Sequence, residues 1–215
     1  MKNNIIIKNL IERYPALSAV ERKIRDAAES LILCYQQKGK VLICGNGGSC
    51  SDSDHIVGEF MKGFECNRPL ESSLKMKLSA ISGEEGNYLA ENLQQSLPAI
   101  SLAAHNALIT AIANDIDASL IFAQQIIGYG NPEDILIGIS SSGNSQNIVN
   151  ALITAKAKGM VTIGLTGESG GKMKTFCDIL INVPEKKTSA VQELHLPVYH
   201  TLCKIVEDHF FGEKY

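Results

Sequence analysis

Lys40 to Cys44, Ile135 to Ile139, Val161 to Leu165 and Ile179 to Val183 are short runs of apolar and β-branched residues without regular polar alternation. A strand with one wet face alternates in polarity, whereas a strand that is apolar throughout must be covered on both sides, as parallel strands inside α/β sheets are. Segments of helical period separate these runs. Ser18 and Glu21 have the spacing of a capping box, and Val20, Ile24, Ala27, Ala28, Leu31, Ile32 and Tyr35 then recur at helical intervals up to Gly39. Further helices are predicted over about 51–61, 146–158 and 190–210, the last with Pro197 inside it. The alternation predicts an α/β fold built on a parallel sheet. Leu70 to Leu97 is less regular: a helix is predicted from Glu84 to Gln95, a strand over Ala99 to Leu102, and then a helix containing Ile109 and Ile112. No linker or low-complexity segment divides the chain, so residues 1–215 read as one domain. Its first 38 or so residues form a helical segment that packs on the sheet or on a neighbouring subunit.

Composition removes several classes of function. Twenty basic residues nearly cancel 23 acidic ones, so no general cationic field exists to hold nucleic acid or a membrane surface. No apolar run approaches the roughly 18 residues of a membrane span, and Ile5-Ile6-Ile7 is cut short by Lys8, too early for a secretory leader. A cytoplasmic protein is expected. The six cysteines are scattered, with no Cys-x-x-Cys pair, and read as small core residues in a reducing compartment.

Two of the apolar runs open into unusual loops. Gly45-Asn46-Gly47-Gly48-Ser49 follows the first, and Ser140-Ser141-Ser142-Gly143-Asn144-Ser145 follows the second; each leads into a helix. In open parallel sheets ligands bind beyond the carboxyl ends of the strands, where helix N-termini present unpaired N–H groups. Glycines there admit close backbone approach and serines add hydroxyl donors, a combination suited to a phosphate group. Either loop alone is equally a tight turn and helix cap; two at equivalent positions favour anion binding. Nucleotide cofactors are not supported: Cys50 stands where a dinucleotide fingerprint needs Gly, and Lys172 is followed by Met173 where a P-loop needs Ser or Thr. His55 and Glu59, four apart, share one helix face, as Gln192 and His200 do eight apart, with His195 and Tyr199 beside them. Either pair can serve proton transfer or a metal; taken singly, each histidine reads more readily as a surface or core residue.

These motifs in this order, with Asp52 and Asn114-Asp115 between them and Gln192-Glu193-Leu194-His195 before His200, resemble the sugar isomerase (SIS) domain family and, within it, the phosphoheptose isomerase branch. The resemblance spans nearly the whole chain. It implies a flavodoxin-like three-layer αβα sandwich, a homotetramer with active sites between subunits, and isomerisation of sedoheptulose 7-phosphate to D-glycero-D-manno-heptose 7-phosphate. It further implies that Asn46, Gly47, Gly48, Ser49, Asn114, Asp115, Ser140, Ser141, Ser142, Ser145 and Gln192 contact the phosphorylated sugar, and that Glu59 and His200 form the acid–base pair. His55, Glu59, Gln192 and His200 match the family's zinc positions. Lys62-Gly63 and Ala190-Val191 depart from the usual Gly-Arg and Arg-Ile, and the stretch from Glu71 to about Ile100 is longer than in that branch. The alternative is a non-catalytic SIS module that senses or adapts to a phosphosugar. Retention of the acid–base set argues against it, because phosphosugar binding needs the loops alone.

Overall fold

Residues 2–212 are described by a computed structural model. Helices α1 (Lys2–Arg13) and α2 (Glu21–Gln36) precede strand β1 (Val41–Gly45), from which α3 (Gly48–Met61) departs. A hairpin of α4 (Ser72–Ile81) and α5 (Gly83–Asn92) leads to β2 (Ala99–Ser101), and α6 (Asn106–Ile112) and α7 (Ala123–Tyr129) lead to β3 (Ile135–Ser140). Then come α8 (Gln146–Ala157), β4 (Val161–Thr166), β5 (Ile179–Asn182) and α9 (Thr188–Phe211).

The five strands form one parallel sheet in the order β2-β1-β3-β4-β5. Successive residues of each strand point to opposite faces, and both faces are covered. Val41, Ile43, Ile135, Ile137 and Ile139 join a core with Ile24 and Leu31 of α2, Ile56 and Phe60 of α3, and Val198, Leu202 and Val206 of α9. Leu42, Cys44 and Leu136 meet Ile126 of α7 and Ile148 and Leu152 of α8 on the other side. Each such aliphatic side chain withdrawn from water contributes about 1.5–3 kcal/mol. The result is the three-layer αβα arrangement, with strand order 2-1-3-4-5 and its switch point between β1 and β3. Gly45 pairs with Ile139, so the two motif-bearing loops emerge side by side from that switch point.

Two local expectations are corrected. Ser18 does not cap α2: a 3-10 turn over Pro15–Val20 precedes it, Val20 occupies the cap position and no side chain caps the helix. The single helix expected from Glu84 to Gln95 is instead the second arm of a hairpin whose first arm, α4, was unforeseen. The one-domain span of 1–215 includes Met1 and residues 213–215, which lie outside the described residues. The cysteines of the described chain are unpaired; Cys34, Cys44 and Cys203 are buried, while Cys50, Cys66 and Cys177 are only partly so. Burial pushes the Cys34 and Cys177 thiols up to about 12. Among the described residues no single helix is long and apolar enough to cross a membrane.

Candidate active site

The glycine loop turns from β1 into α3 through Gly47, whose φ of +56° is left-handed backbone that a side chain would strain. Asn46 and Asn147 exchange amide hydrogen bonds at 2.9 Å in both directions, tying this loop to the first turn of α8. Ser49 is buried, packed against Gly45, while Gly47 and Gly48 are exposed. A Cβ on Gly48 would lie 2.5 Å from Gln192 Nε2, so the missing side chain is what lets α9 lay Gln192 over the loop.

The serine loop is held from behind by the glycine-rich turn after β4. Gly167 N–H donates to Ser141 O at 3.0 Å, Met173 N–H donates to Gly143 O at 3.0 Å, and Lys172 N–H donates to Asn144 Oδ1 at 3.1 Å. Gly143, at φ +67°, faces Gly170 and Gly171 with no room for a Cβ. The sequence Gly170-Gly171-Lys172, unlike a P-loop in its surroundings, is thus the buttress of a neighbouring loop. Ser140 Oγ and Ser145 Oγ are 3.0 Å apart, and Ser142 Oγ accepts the Asn144 N–H at 3.2 Å, leaving its proton free to donate outward.

Beside these loops α3 and α9 pack against each other and bring distant residues together. Asp52, His55 and Glu59 fall on one stripe of α3, facing Tyr199 and His200 of α9. His55 Nε2 lies 3.2 Å from Glu59 Oε1 and 3.4 Å from His200 Nε2. Glu59 is 8% exposed; its Oε2 makes no hydrogen bond and has the Lys62 ammonium 3.6 Å away. Burial and the neighbouring His55 imidazole hold His200 below the usual histidine value, so it is a neutral acceptor near pH 7. The Tyr199 hydroxyl lies 3.2 Å from Asp52 Oδ1 and 3.1 Å from His55 Nδ1. Burial and the Asp52 carboxylate push its phenol above the ordinary tyrosine value, so it keeps its proton. A cavity of about 340 Å³ opens next to His200 between α1 and α9, with Asn9, Arg13, Glu65 and Lys204 among its walls.

The remaining expected site residues lie elsewhere. Asn114 and Asp115 are exposed in a π-helical turn after α6, where Asn114 Nδ2 donates to Asp115 Oδ1 at 2.8 Å; neither bonds to the two loops. His195 is fully buried with neither ring nitrogen in a side-chain hydrogen bond, and burial holds it down at about 4, offset only in part by the Thr166 backbone. Spacing put Tyr199 beside His200 but gave its hydroxyl no role. A tyrosine in the apolar stretch Pro197-Val198-Tyr199 reads as core, and only its juxtaposition with Asp52 reveals the role of its hydroxyl.

The donor set at His55, Glu59, Gln192 and His200 is of the kind zinc takes, imidazole nitrogens and a carboxylate oxygen with an amide. Ligands bound at about 2.1 Å in a tetrahedron stand roughly 3.4 Å apart, close to the 3.2 and 3.4 Å of the two pairs around His55. Among the described residues no three His, Cys, Asp or Glu side chains are grouped to enclose an ion as they stand. His55, Glu59 and His200 thus offer donors of the zinc type at two suitable pair spacings, without enclosing an ion as they stand.

A model of the SIS domain family matches residues 7–96 and 88–167. The phosphoheptose isomerase of Clostridium acetobutylicum is 39% identical over 219 aligned positions, covering 97% of this chain and 98% of the relative. That of Burkholderia pseudomallei is 39% identical over 191 positions, covering 89% and 84%. Among solved structures, a phosphoheptose isomerase from Francisella tularensis superposes with a TM-score of 0.73 at 31% identity, over 96% of this chain and 97% of that one. The enzyme from Neisseria gonorrhoeae gives 0.73 at 30% identity, over 94% of both. The chain thus belongs to the SIS domain family. Its place among the phosphoheptose isomerases makes it an enzyme of the phosphosugar isomerase class.

Proposed function

We propose that the enzyme interconverts sedoheptulose 7-phosphate and D-glycero-D-manno-heptose 7-phosphate, with Glu59 and His200 as its acid–base pair. The observation that carries this reading is the convergence of Glu59, His55 and His200 from two helices, one of them the helix that leaves the glycine loop. From the ketose, a base removes a proton from C1, a C1=C2 double bond forms, and charge accumulates on O2. Proton return at C2 and loss of the O1 proton complete the aldose, with no net redox change. Glu59, with one carboxylate oxygen free of hydrogen bonds, suits the carbon proton; His200, neutral near pH 7, suits exchange between O1 and O2. Zinc held by His55, Glu59, Gln192 and His200 would supply a Lewis acid that polarises the carbonyl. No nucleotide enters the reaction. A panel assay of the purified protein against keto- and aldose-phosphates, with metal content measured on the same sample, tests the proposal. Failure to isomerise any of them would leave the phosphosugar-sensing alternative.

The serine loop is assigned to phosphate. Ser142→Ala and Ser145→Ala are each expected to weaken sugar-phosphate binding by about 1.5–3 kcal/mol, the contribution of a hydrogen bond to a charged oxygen. Calorimetric titration of folded variants is the check, and unchanged affinity in both would reassign the phosphate. We also propose a homotetramer with sites between subunits. The exposed Ile5 and Leu33 of α1 and α2 leave apolar surface for a second copy to cover. Light scattering of the active protein is expected to give four chains, and a fully active monomer would refute shared sites.

A further inference from the structure

The two motif-bearing loops are joined by one side-chain link. Asn46 Nδ2 donates to Asn147 Oδ1 and Asn147 Nδ2 donates to Asn46 Oδ1, both at 2.9 Å; among the described residues no other side-chain hydrogen bond connects the glycine loop to the serine loop or α8. The link is anchored on the α8 side. Asn147 is the second residue of that helix and half-buried, and its Oδ1 also accepts the Ile148 N–H at 3.0 Å, so the first turn of α8 fixes its amide. Asn46 has no such anchor of its own. It is exposed and followed by Gly47 at φ +56°, and among the described residues its side chain makes no hydrogen bond beyond this pair.

A primary amide carries two N–H donors and two acceptor lone pairs. The reciprocal pair uses one of each on Asn46, which leaves one N–H and one lone pair to meet a ligand. An exposed amide pair trades against water for little net stability. What this one supplies is a fixed direction for Asn46 and a fixed gap between the loops.

We propose that Asn147 is a positioning residue for phosphosugar binding, acting through Asn46: it locks the direction of that amide and the spacing of the glycine loop from the serine loop. The inference rests on the reading of Asn46 and the serine loop as substrate contacts. Ser145, two residues before Asn147, has its hydroxyl 3.0 Å from Ser140 Oγ, so one turn of α8 sets both the phosphate-suited hydroxyls and the Asn46 amide. Groups placed before the ligand arrives need no ordering when it binds.

A double-mutant cycle on the full chain tests this, with sedoheptulose 7-phosphate as the probe and affinity read by calorimetry alongside KM and kcat. Alanine is a good helix former, so Asn147→Ala is expected to keep Tm within about 4 °C of the parent. It should weaken binding about 3- to 10-fold, the worth of hydrogen bonds shared with water, and raise KM to match while kcat stays within about twofold. Asn46→Ala should weaken binding at least as much. Adding Asn147→Ala to Asn46→Ala should then change affinity by less than about twofold, because nothing is left to position. Losses that multiply overturn the proposal, since Asn147 then acts on its own or through the fold. So does unchanged affinity in folded Asn147→Ala or folded Asn46→Ala. Nuclear Overhauser contacts between the two side-chain amides are expected in the ligand-free parent labelled with 15N-asparagine, and their absence overturns the proposal even if no variant folds. If the parent binds the sugar phosphate without isomerising it and the cycle is non-additive, the isomerase reading falls and the coupling of the loops stands. A parent that binds no sugar phosphate overturns both.

Discussion

Glu59→Gln is expected to lower isomerase turnover about 100-fold or more while sugar phosphate still binds, because the amide keeps the shape and hydrogen-bonding reach of the side chain but removes its basicity. The position has little latitude. Glu59 is almost wholly buried, with Oε1 against His55 and the Lys62 ammonium as the nearest cation to Oε2. His200→Ala should be comparably damaging. If zinc is resident, it should also lower the metal content of the purified protein, since imidazole is a favoured zinc ligand. His195→Gln is the internal control. Its imidazole is buried away from the cluster and held neutral, so that change should act on stability with a milder effect on turnover. Near-wild-type kcat in both Glu59→Gln and His200→Ala would exclude the proposed acid–base pair.

The largest effect on stability is expected from Glu207→Ala. Glu207 is 1% exposed and accepts hydrogen bonds from the backbone N–H groups of Phe64, Glu65 and Cys66 at 2.8, 2.7 and 3.1 Å. Arg68, with its side chain fully buried, donates to it from Nε at 2.8 Å while reaching Phe60 O at 2.7 Å and Glu59 O at 3.0 Å. Removing the carboxylate leaves three backbone amides without their acceptor and a buried guanidinium without its counter-ion, a loss of about 3–5 kcal/mol. For a chain of this size that lowers Tm on the order of 10 °C, readable by calorimetry or urea titration. An Arg68→Met, Glu207→Leu double variant should recover much of the loss, because no charge is then stranded. Burial pulls the Glu207 carboxyl upward, but the Phe64 and Glu65 amides and the Arg68 guanidinium outweigh it and hold it below its ordinary value. The stability it contributes is therefore present above about pH 4.5 and lost as pH falls through the lowered value. Unfolding curves that shift only slightly in Glu207→Ala would show the cluster to be dispensable.

The sheet was legible because β1, β3 and β4 lie buried nearly throughout and so are apolar at most positions. The loops at the switch point were legible because close backbone approach demands Gly and anion binding demands donors. The pairing of α3 with α9 was not. His55 and His200 are 145 residues apart, and no local periodicity says which helices touch; the resemblance to a known family supplied what spacing could not. Arg68 and Glu207, 139 residues apart, gave still less signal, since a charge in a loop or on a helix normally reads as solvated. The helix α4 escaped notice because its ten residues carry only a short stripe, Leu74, Leu78 and Ile81, none of which it buries.

That hairpin leaves and rejoins the protein through a narrow neck. Pro69 and Gln94 form an antiparallel bridge, and Gln95 N–H donates to Arg68 O at 2.8 Å while its side-chain amide donates to Pro69 O at 2.8 Å. The neck is moored to α9 through Arg68, so whatever happens between residues 70 and 93 begins and ends at two fixed, adjacent points. Closing a shorter or longer excursion across such a neck changes the chain entropy only slowly with length. The segment can thus be lengthened, trimmed or rewritten over evolutionary time without disturbing β2 or the stripe of α3 that carries Glu59. Diversification of this outer arm and constancy of the isomerase chemistry become separable histories within one chain.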